Sequence, residues 1–524
     1  MRVTSRLHAF GTGAAARCRD LDDRCGRMLG DDTAISARSL IAALAILAVA
    51  SLVMLYRLGD AEICGFNEGV EALVMQDMLE RGNILFPRAS GDEPSYKPPL
   101  LHWVGTAIAH VLGTSEVTEL TVRLPSVLFA LAGIGITTAF VHRHMGAHTG
   151  VLAGLILAAA MQYVRQGRYG RVDMALTFFE TATLLVFLTW AARTARHPTD
   201  TRTDPWLWLL AVTAGAGVLA KGPIGAVLPL TAIMVTLAAD RRLDLARRML
   251  RWGPVIAFAA VSVSWYALCA LAAQGEFLTL HLGSENFGRF TGALGRMPTL
   301  YYLNPLLMNS PPLTFLAPFA VVAALRPRAR PPGETSESQD SGTRLFAIFW
   351  LITVVFFSVA AYKRRAYLLP LWPAAAILIA GWLRAQAQTA NGKTLRGAIT
   401  AVCGILVLVN FVVAPLIERR DCPTGNFKHA ATAIRALLPP SANLVSLGGI
   451  GSGDLAAMRF YLRHPLPARS AAPPGSSSHV LLVVRREDGT RYAGGLPGHK
   501  PLGTFRPGRG TITLYERVAE TNPL

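Results

Sequence analysis

Apolar residues in this chain gather in blocks, at 39–56, 122–141, 151–164, 174–192, 206–220, 224–238, 252–271, 311–325, 345–361, 368–383 and 397–416. Each block is close to the ~20 residues that a helix needs to cross a bilayer, and few carry a charge. The pattern predicts a mainly α fold, a polytopic bundle of about 11 spans. Two further segments have apolar residues at helical spacing broken by polar ones. Glu68 to Leu79 is one; 98–113, interrupted by His102 and His110, is the other and reads as a helix lying at the membrane interface. After 416 the hydrophobicity falls, and short runs at 444–447, 480–484 and 511–515 between Pro and Gly predict a small C-terminal α/β domain outside the membrane.

Charge orients the bundle. Of 524 residues, 51 are Lys or Arg and 33 Asp or Glu, a formal net charge of +18. Only 16% of residues are charged against 52% hydrophobic, which excludes a soluble globular enzyme. The basic excess sits between spans, at Arg193, Arg196 and Arg202, at Arg241, Arg242, Arg247, Arg248 and Arg251, and at Arg326, Arg328 and Arg330. Cytoplasmic loops carry such an excess, and no basic domain with interleaved aromatics suggests nucleic acid. Residues 1–38 are too long and too acidic for a signal sequence and read as a cytoplasmic tail. The expected organisation is that tail, a transmembrane domain over 39–417 with external loops at 58–120 and 273–310, and an external domain over 418–524. The six cysteines have no metal-ligand spacing; a Cys64–Cys422 disulfide is conceivable, but unpaired thiols are the favoured reading.

Polar clusters from distant parts of the chain fall on the external face, where charge is costly and marks function. Asn67 and Glu68, with Glu71, follow the first span. Lys97 opens the interfacial helix after Tyr96, and a lysine there suits a lipid phosphate. Asp173 starts a span beside Arg168 and Arg171. Lys221-Gly222-Pro223 closes a hairpin, and Lys363-Arg364-Arg365, followed by Tyr367, breaks the orientation rule unless an anion neutralises it. The second loop adds His281, Glu285, Asn286 and Arg289. Acids and cations on one membrane face suit a carboxylate deprotonating an acceptor hydroxyl while cations take up a departing phosphate. Read singly, Asp173 is also a helix cap, Lys97 a snorkelling lysine and Glu68 a solvated acid.

In order and spacing these elements, with Arg123-Leu124-Pro125 and Ser284 to Phe290, resemble the bacterial protein O-mannosyltransferase-like, C-type membrane glycosyltransferases, a family that includes the lipid A aminoarabinose transferase. The resemblance covers residues 40 to 420. It implies an enzyme of the bacterial inner membrane that takes a sugar from a polyprenyl-phosphate donor on the periplasmic side. The sugar, a hexose or a pentose, passes to a lipid, glycan or protein acceptor. Carried over, Glu68 and Asp173 are the catalytic acids. Asn67, Lys97, Arg171, Lys221, Glu285, Arg289, Lys363, Arg364 and Tyr367 line the donor phosphate and substrate. Two positions depart from the family. Asn67 stands where an acid is usual and cannot act as a base. Tyr96 stands where the aminoarabinose transferase has Glu, so no metal is carried over and no cofactor is expected. The competing readings are a lipid or sugar transporter, against which the chain shows no repeated halves, and a glycan-binding relative that has lost catalysis.

Overall fold

The computed structural model describes residues 37–63, 65–90, 93–196, 204–272, 276–293, 295–326, 337–387, 389–421, 426–438, 444–447, 452–463, 468–469, 479–485, 496, 498–506 and 510–517. Nearly all of the expected cytoplasmic tail, and both Cys64 and Cys422, lie outside these residues.

Every apolar block falls on a helix. Helix α1 (Ala37–Leu55) leads to α2 (Phe66–Arg81), the hairpin β1 (Arg88–Ser90) and β2 (Glu93–Pro94), and α3 (Leu100–Val111). Then come α4 (Glu119–Met145), α5 (Ala147–Ala159), α6 (Met161–Gly167), α7 (Val172–Arg196), α8 (Pro205–Lys221), α9 (Ile224–Ala239), α10 (Leu243–Met249) and α11 (Trp252–Ala272). A π-helix at Thr279–Gly288 precedes α12 (Leu303–Met308), α13 (Leu313–Leu325), α14 (Glu337–Val359), α15 (Leu371–Gln386) and α16 (Ala390–Asp421).

Among the described residues six helices are long and apolar enough to cross a membrane, or up to eight if each of two bent pairs is one span. Apolar stretches on α1, α8 and α9 are shorter. The protein is a mainly helical, multi-pass membrane protein. Its spanning helices are apolar on both sides, because the bundle buries one side and the other, with Leu44, Leu52, Ile256, Val263, Leu408 and Val412 exposed, faces lipid.

The block at 151–164 is not one straight helix. It bends by 66° where Ala160 turns extended, with φ −68° and ψ 105°. Neither Pro nor Gly marks the position. The break persists because groups from elsewhere satisfy the freed backbone: Asn410 Nδ2 donates to the Ala159 carbonyl at 3.1 Å, and the Gln162 N–H donates to Ser310 Oγ at 3.0 Å.

The α8–α9 hairpin closes tightly. A Cβ on Gly217 would meet the Gly225 carbonyl oxygen at 2.7 Å, and Gly222, at φ +105°, makes the turn that L side chains resist. Lys221 is thereby fixed at the end of α8.

The C-terminal segment forms α17 (Phe427–Leu437), α18 (Ser452–Leu462) and a sheet ordered β4-β3-β5-β7-β6, from β3 (Leu444–Leu447), β4 (Ala468–Arg469), β5 (His479–Arg485), β6 (His499–Phe505) and β7 (Gly510–Arg517). Strand β3 is parallel to both neighbours, and β7 is antiparallel to both of its own. This segment shares a core with the first loop, where Ala72, Met75 and Leu101 meet Ala431, Ala457 and Leu514. Glu62 Oε2 accepts from the backbone N–H groups of Asn426 and Phe427 at 2.9 and 2.8 Å and so caps α17. Tyr461 OH accepts from Ile63 N at 2.7 Å and donates to Glu119 Oε1 at 3.0 Å.

Candidate active site

Chain direction gathers one end of the bundle. Helix α7 starts there, α8 returns to it and α9 leaves it, so that the Arg241 to Arg251 run stands at the far end, about 24 Å along the 16-residue α9. Two kinds of arginine are found at the near end.

Arg123 and Arg168 are wholly buried. Arg123 forms a two-pronged pair with Glu68, at 2.9 and 3.0 Å, and its Nη1 donates to the carbonyls of Leu58 and Ala61 at 2.8 and 2.7 Å. Arg168 Nη2 donates to Glu418 at 2.9 Å, while Nη1 donates to the carbonyls of Val53, Met54 and Tyr56 at 2.8 to 3.0 Å, tying the end of α1 to α16. These are neutral clamps that satisfy helix-end carbonyls.

Glu68, expected as a catalytic acid, is a member of the first of these clamps. Its side chain is 1% exposed, and besides Arg123 it accepts from the Gly170 N–H at 3.0 Å. Glu68 therefore holds the turn that delivers Arg171 and Asp173. Lys363, expected to line the donor phosphate, is buried, with Nζ donating to the Ala360 carbonyl at 2.7 Å at the end of α14.

The remaining candidates meet in a half-buried cluster. Asp173, in the first turn of α7, is ion-paired to Lys221. The Lys221 ammonium lies 4.6 Å from the centre of the Tyr367 ring, and the Tyr367 hydroxyl accepts from Arg289 Nη1 at 3.0 Å. Arg289 pairs with Glu285 on the π-helix turn. The guanidinium carbons of Arg289 and Arg364 both sit 5.3 Å from the centre of the Tyr362 ring. Arg364 reaches across to donate to Asn67 Oδ1 at 2.7 Å. Arg171, its carbon 5.6 Å from the Tyr169 ring, is near enough for its charge to act on Asp173.

Lys97 completes the cluster. It is ion-paired to Glu71, whose other oxygen accepts from His102 Nε2 at 2.6 Å. Burial opposes both charges, yet each outweighs it for the other, so the Lys97 ammonium is held above its ordinary range and the Glu71 carboxyl below its own. Nearby, His281 is pushed down to about 4, chiefly by burial and further by Lys97 and Arg289. Its Nδ1 donates to the Tyr96 carbonyl at 2.8 Å, and its Nε2 accepts from Tyr266 OH at 3.2 Å. That neutral ring ties the π-helix to the residue before Lys97.

Counting these side chains alone, five cations (Lys97, Arg171, Lys221, Arg289, Arg364) stand against three carboxylates (Glu71, Asp173, Glu285), and 5 − 3 leaves two positive charges. Arg171 and Arg364 are ion-paired to none of the three, although the charge of Arg171 reaches Asp173. Residue types alone did not distinguish Glu71 as the partner of Lys97, and Tyr362, lying between two arginines, was missed. The Tyr in the Tyr362-Lys363-Arg364 run was its one available signal. Among the described residues no group of three or more His, Cys, Asp or Glu is arranged to hold a metal.

Residues 96–266 match the family model PMT_2, described as dolichyl-phosphate-mannose-protein mannosyltransferase. The chain is 28% identical over 336 residues to an uncharacterized protein of Aquifex aeolicus, covering 63% of this chain and 62% of that one. It is 25% identical over 357 residues to the undecaprenyl phosphate-alpha-4-amino-4-deoxy-L-arabinose arabinosyl transferase of Pectobacterium carotovorum, covering 67% of this chain and 60% of that enzyme. The alignments thus span about three fifths of the length of these curated relatives. Among solved structures, ArnT from Cupriavidus metallidurans bound to undecaprenyl phosphate superposes with TM-score 0.72 at 21% identity, over 93% of this chain and 100% of ArnT. The Archaeoglobus fulgidus oligosaccharyltransferase AglB follows at TM-score 0.58 and 13% identity, over 93% of this chain and 75% of its own.

Proposed function

We propose that this chain, similar in sequence and fold to the PMT/ArnT-like membrane glycosyltransferases, transfers a sugar from a polyprenyl-phosphate donor to an acceptor hydroxyl at the outer face of the inner membrane. The observation that carries the reading is the surplus of two positive charges around Asp173. A surplus of that size at membrane depth suits a lipid phosphate.

The chemistry follows from the pairing. The acceptor oxygen attacks the anomeric carbon, and the bond from that carbon to the phosphate oxygen breaks. Its electron pair leaves with the polyprenyl phosphate, and the acceptor proton passes to Asp173. Lys221 is the hinge of this exchange: as the phosphate gains charge the ammonium turns toward it, which frees Asp173 to accept the proton. Arg171, Arg289, Arg364 and Lys97 take the remaining phosphate charge. Asn67 is no base, but as the acceptor for Arg364 it aims that guanidinium.

In our topology all eleven helical blocks cross, the short α1, α8 and α9 included, with the arginine-rich run after α9 inside and the site in the periplasm. Residues 39–417 are the catalytic membrane domain, and 418–524 an external α/β domain seated on the first loop. The names of the curated relatives favour an amino-pentose as the first sugar to test, with a lipid, glycan or protein as acceptor.

The test is a donor screen on the protein in lipid nanodiscs, reading release of free polyprenyl phosphate from a panel of polyprenyl-phosphate sugars with and without membrane extract. Acceptor-dependent release from one donor supports transfer and names the sugar. Donor binding without release from any of the panel favours the relative that has lost catalysis.

A further inference from the structure

Three interruptions in the helical bundle meet at one side chain. The first is the bend between α5 and α6. The second is the turn between α12 and α13, where the chain folds through 109°. The third is the 3-10 turn Arg365–Leu368 that precedes α15 and carries Arg364 and Tyr367 at the site. Gln162, the second residue of α6 and 7% exposed, sits at the first and bonds to the other two.

Its backbone N–H donates to Ser310 Oγ at 3.0 Å, and its Oε1 accepts from Asn309 Nδ2 at 2.8 Å, both within the second interruption. Oε1 also accepts from Trp372 Nε1 at 2.8 Å, at the start of α15. Nε2 donates to the Arg365 carbonyl at 2.8 Å, inside the third. An amide suits the place because it presents an acceptor and a donor side by side on one carbon. An apolar side chain there would strand the two donors and the carbonyl in a low-dielectric interior.

We propose that Gln162 is a positioning residue for the donor phosphate, fixing through the Arg365 carbonyl the turn from which Arg364 reaches Asn67 and Tyr367 reaches Arg289. The proposal rests on the glycosyl-transfer reading above. Gln162 touches no cation of the site directly; its effect travels through one backbone carbonyl, one residue from Arg364 and two from Tyr367.

The experiment compares full-length wild type, Gln162→Met, the gentler Gln162→Asn and, as control, Trp372→Phe in nanodiscs. Trp372→Phe removes one donor to Oε1 and leaves the Arg365 contact. Two readouts are taken: amide hydrogen exchange over residues 362–369, and the KM and kcat of polyprenyl-phosphate release from the donor found active. Gln162→Met should speed exchange over 362–369 at least fivefold while 122–141 is unchanged, and raise donor KM about tenfold with kcat within threefold. Gln162→Asn should move both readouts in the same direction by less, and Trp372→Phe should stay within twofold. Both Gln162 variants folded with exchange and KM unmoved would overturn the proposal. So would exchange rising across the whole bundle with kcat and KM worsening in step, since that pattern belongs to general packing. A wild type inert on every donor sinks the transfer reading instead, and exchange over 362–369 still decides whether Gln162 sets the turn.

Discussion

Arg123 and Arg168, set against Arg171 and Arg364, show how one residue type does two jobs at one end of a membrane bundle. The first two are fully buried, each with its own glutamate and a set of backbone carbonyls, and each unit is electrically complete. The second two are half-buried and lean on aromatic rings at 5.6 and 5.3 Å, with no carboxylate of the cluster ion-paired to them. Burial with full pairing marks structure. Partial burial with charge left over marks a place for something the protein does not itself supply.

The sharpest break in this comparison comes from Asp173, whose removal should cost chemistry and not folding. Asp173→Asn is expected to slow transfer about 10³-fold while the thermal midpoint in detergent stays within a few degrees, measured by single-turnover release of polyprenyl phosphate. On the other side, Arg123→Met leaves Glu68 buried with an unmatched charge and should destabilise by about 3–5 kcal/mol, read as loss of the folded peak and a lowered midpoint. An Arg123→Met protein as stable as wild type would erase the distinction.

His281 belongs with the structural group. Its folded value of about 4 lies below the ordinary 6.5, so the folded state gains from the neutral ring above pH 6.5 and loses that gain as pH falls toward 4. The loss amounts to as much as ~3 kcal/mol over that window. The midpoint of His281→Gln should therefore fall less steeply with acid than that of wild type. The smallest effect is expected at Lys97. Lys97→Ala should raise donor KM roughly ten- to thirtyfold, about 1.4–2 kcal/mol of lost contact, with kcat little changed, and should also lower the thermal midpoint because it leaves the buried Glu71 with His102 alone.

The helices were readable in advance because lipid demands long apolar runs, and α4, α7 and α11 stand on the blocks that announced them. The break at Ala160 was not readable. No residue of broken propensity marks it, and what holds it comes from Asn410 and Ser310, about 250 and 150 positions away. The candidate site was legible as a set of residue types on one face, since charge near a membrane is conspicuous. The division within that set was not, because whether Glu68 or Asp173 is free to react depends on which arginine or lysine arrives from a distant helix. Arg123 takes both oxygens of Glu68; Lys221 leaves Asp173 partly open.

The two surplus charges also have a consequence for the proposed cycle. A sugar donor is a phosphodiester with one negative charge, whereas the polyprenyl phosphate left behind is a monoester whose second ionisation lies near pH 6, giving it close to two. Five cations against three carboxylates therefore fit the product better than the substrate. On the proposed transfer reading, such a site should release the spent lipid more slowly than the sugar, and single-turnover release faster than steady-state turnover would show departure of the carrier setting the rate.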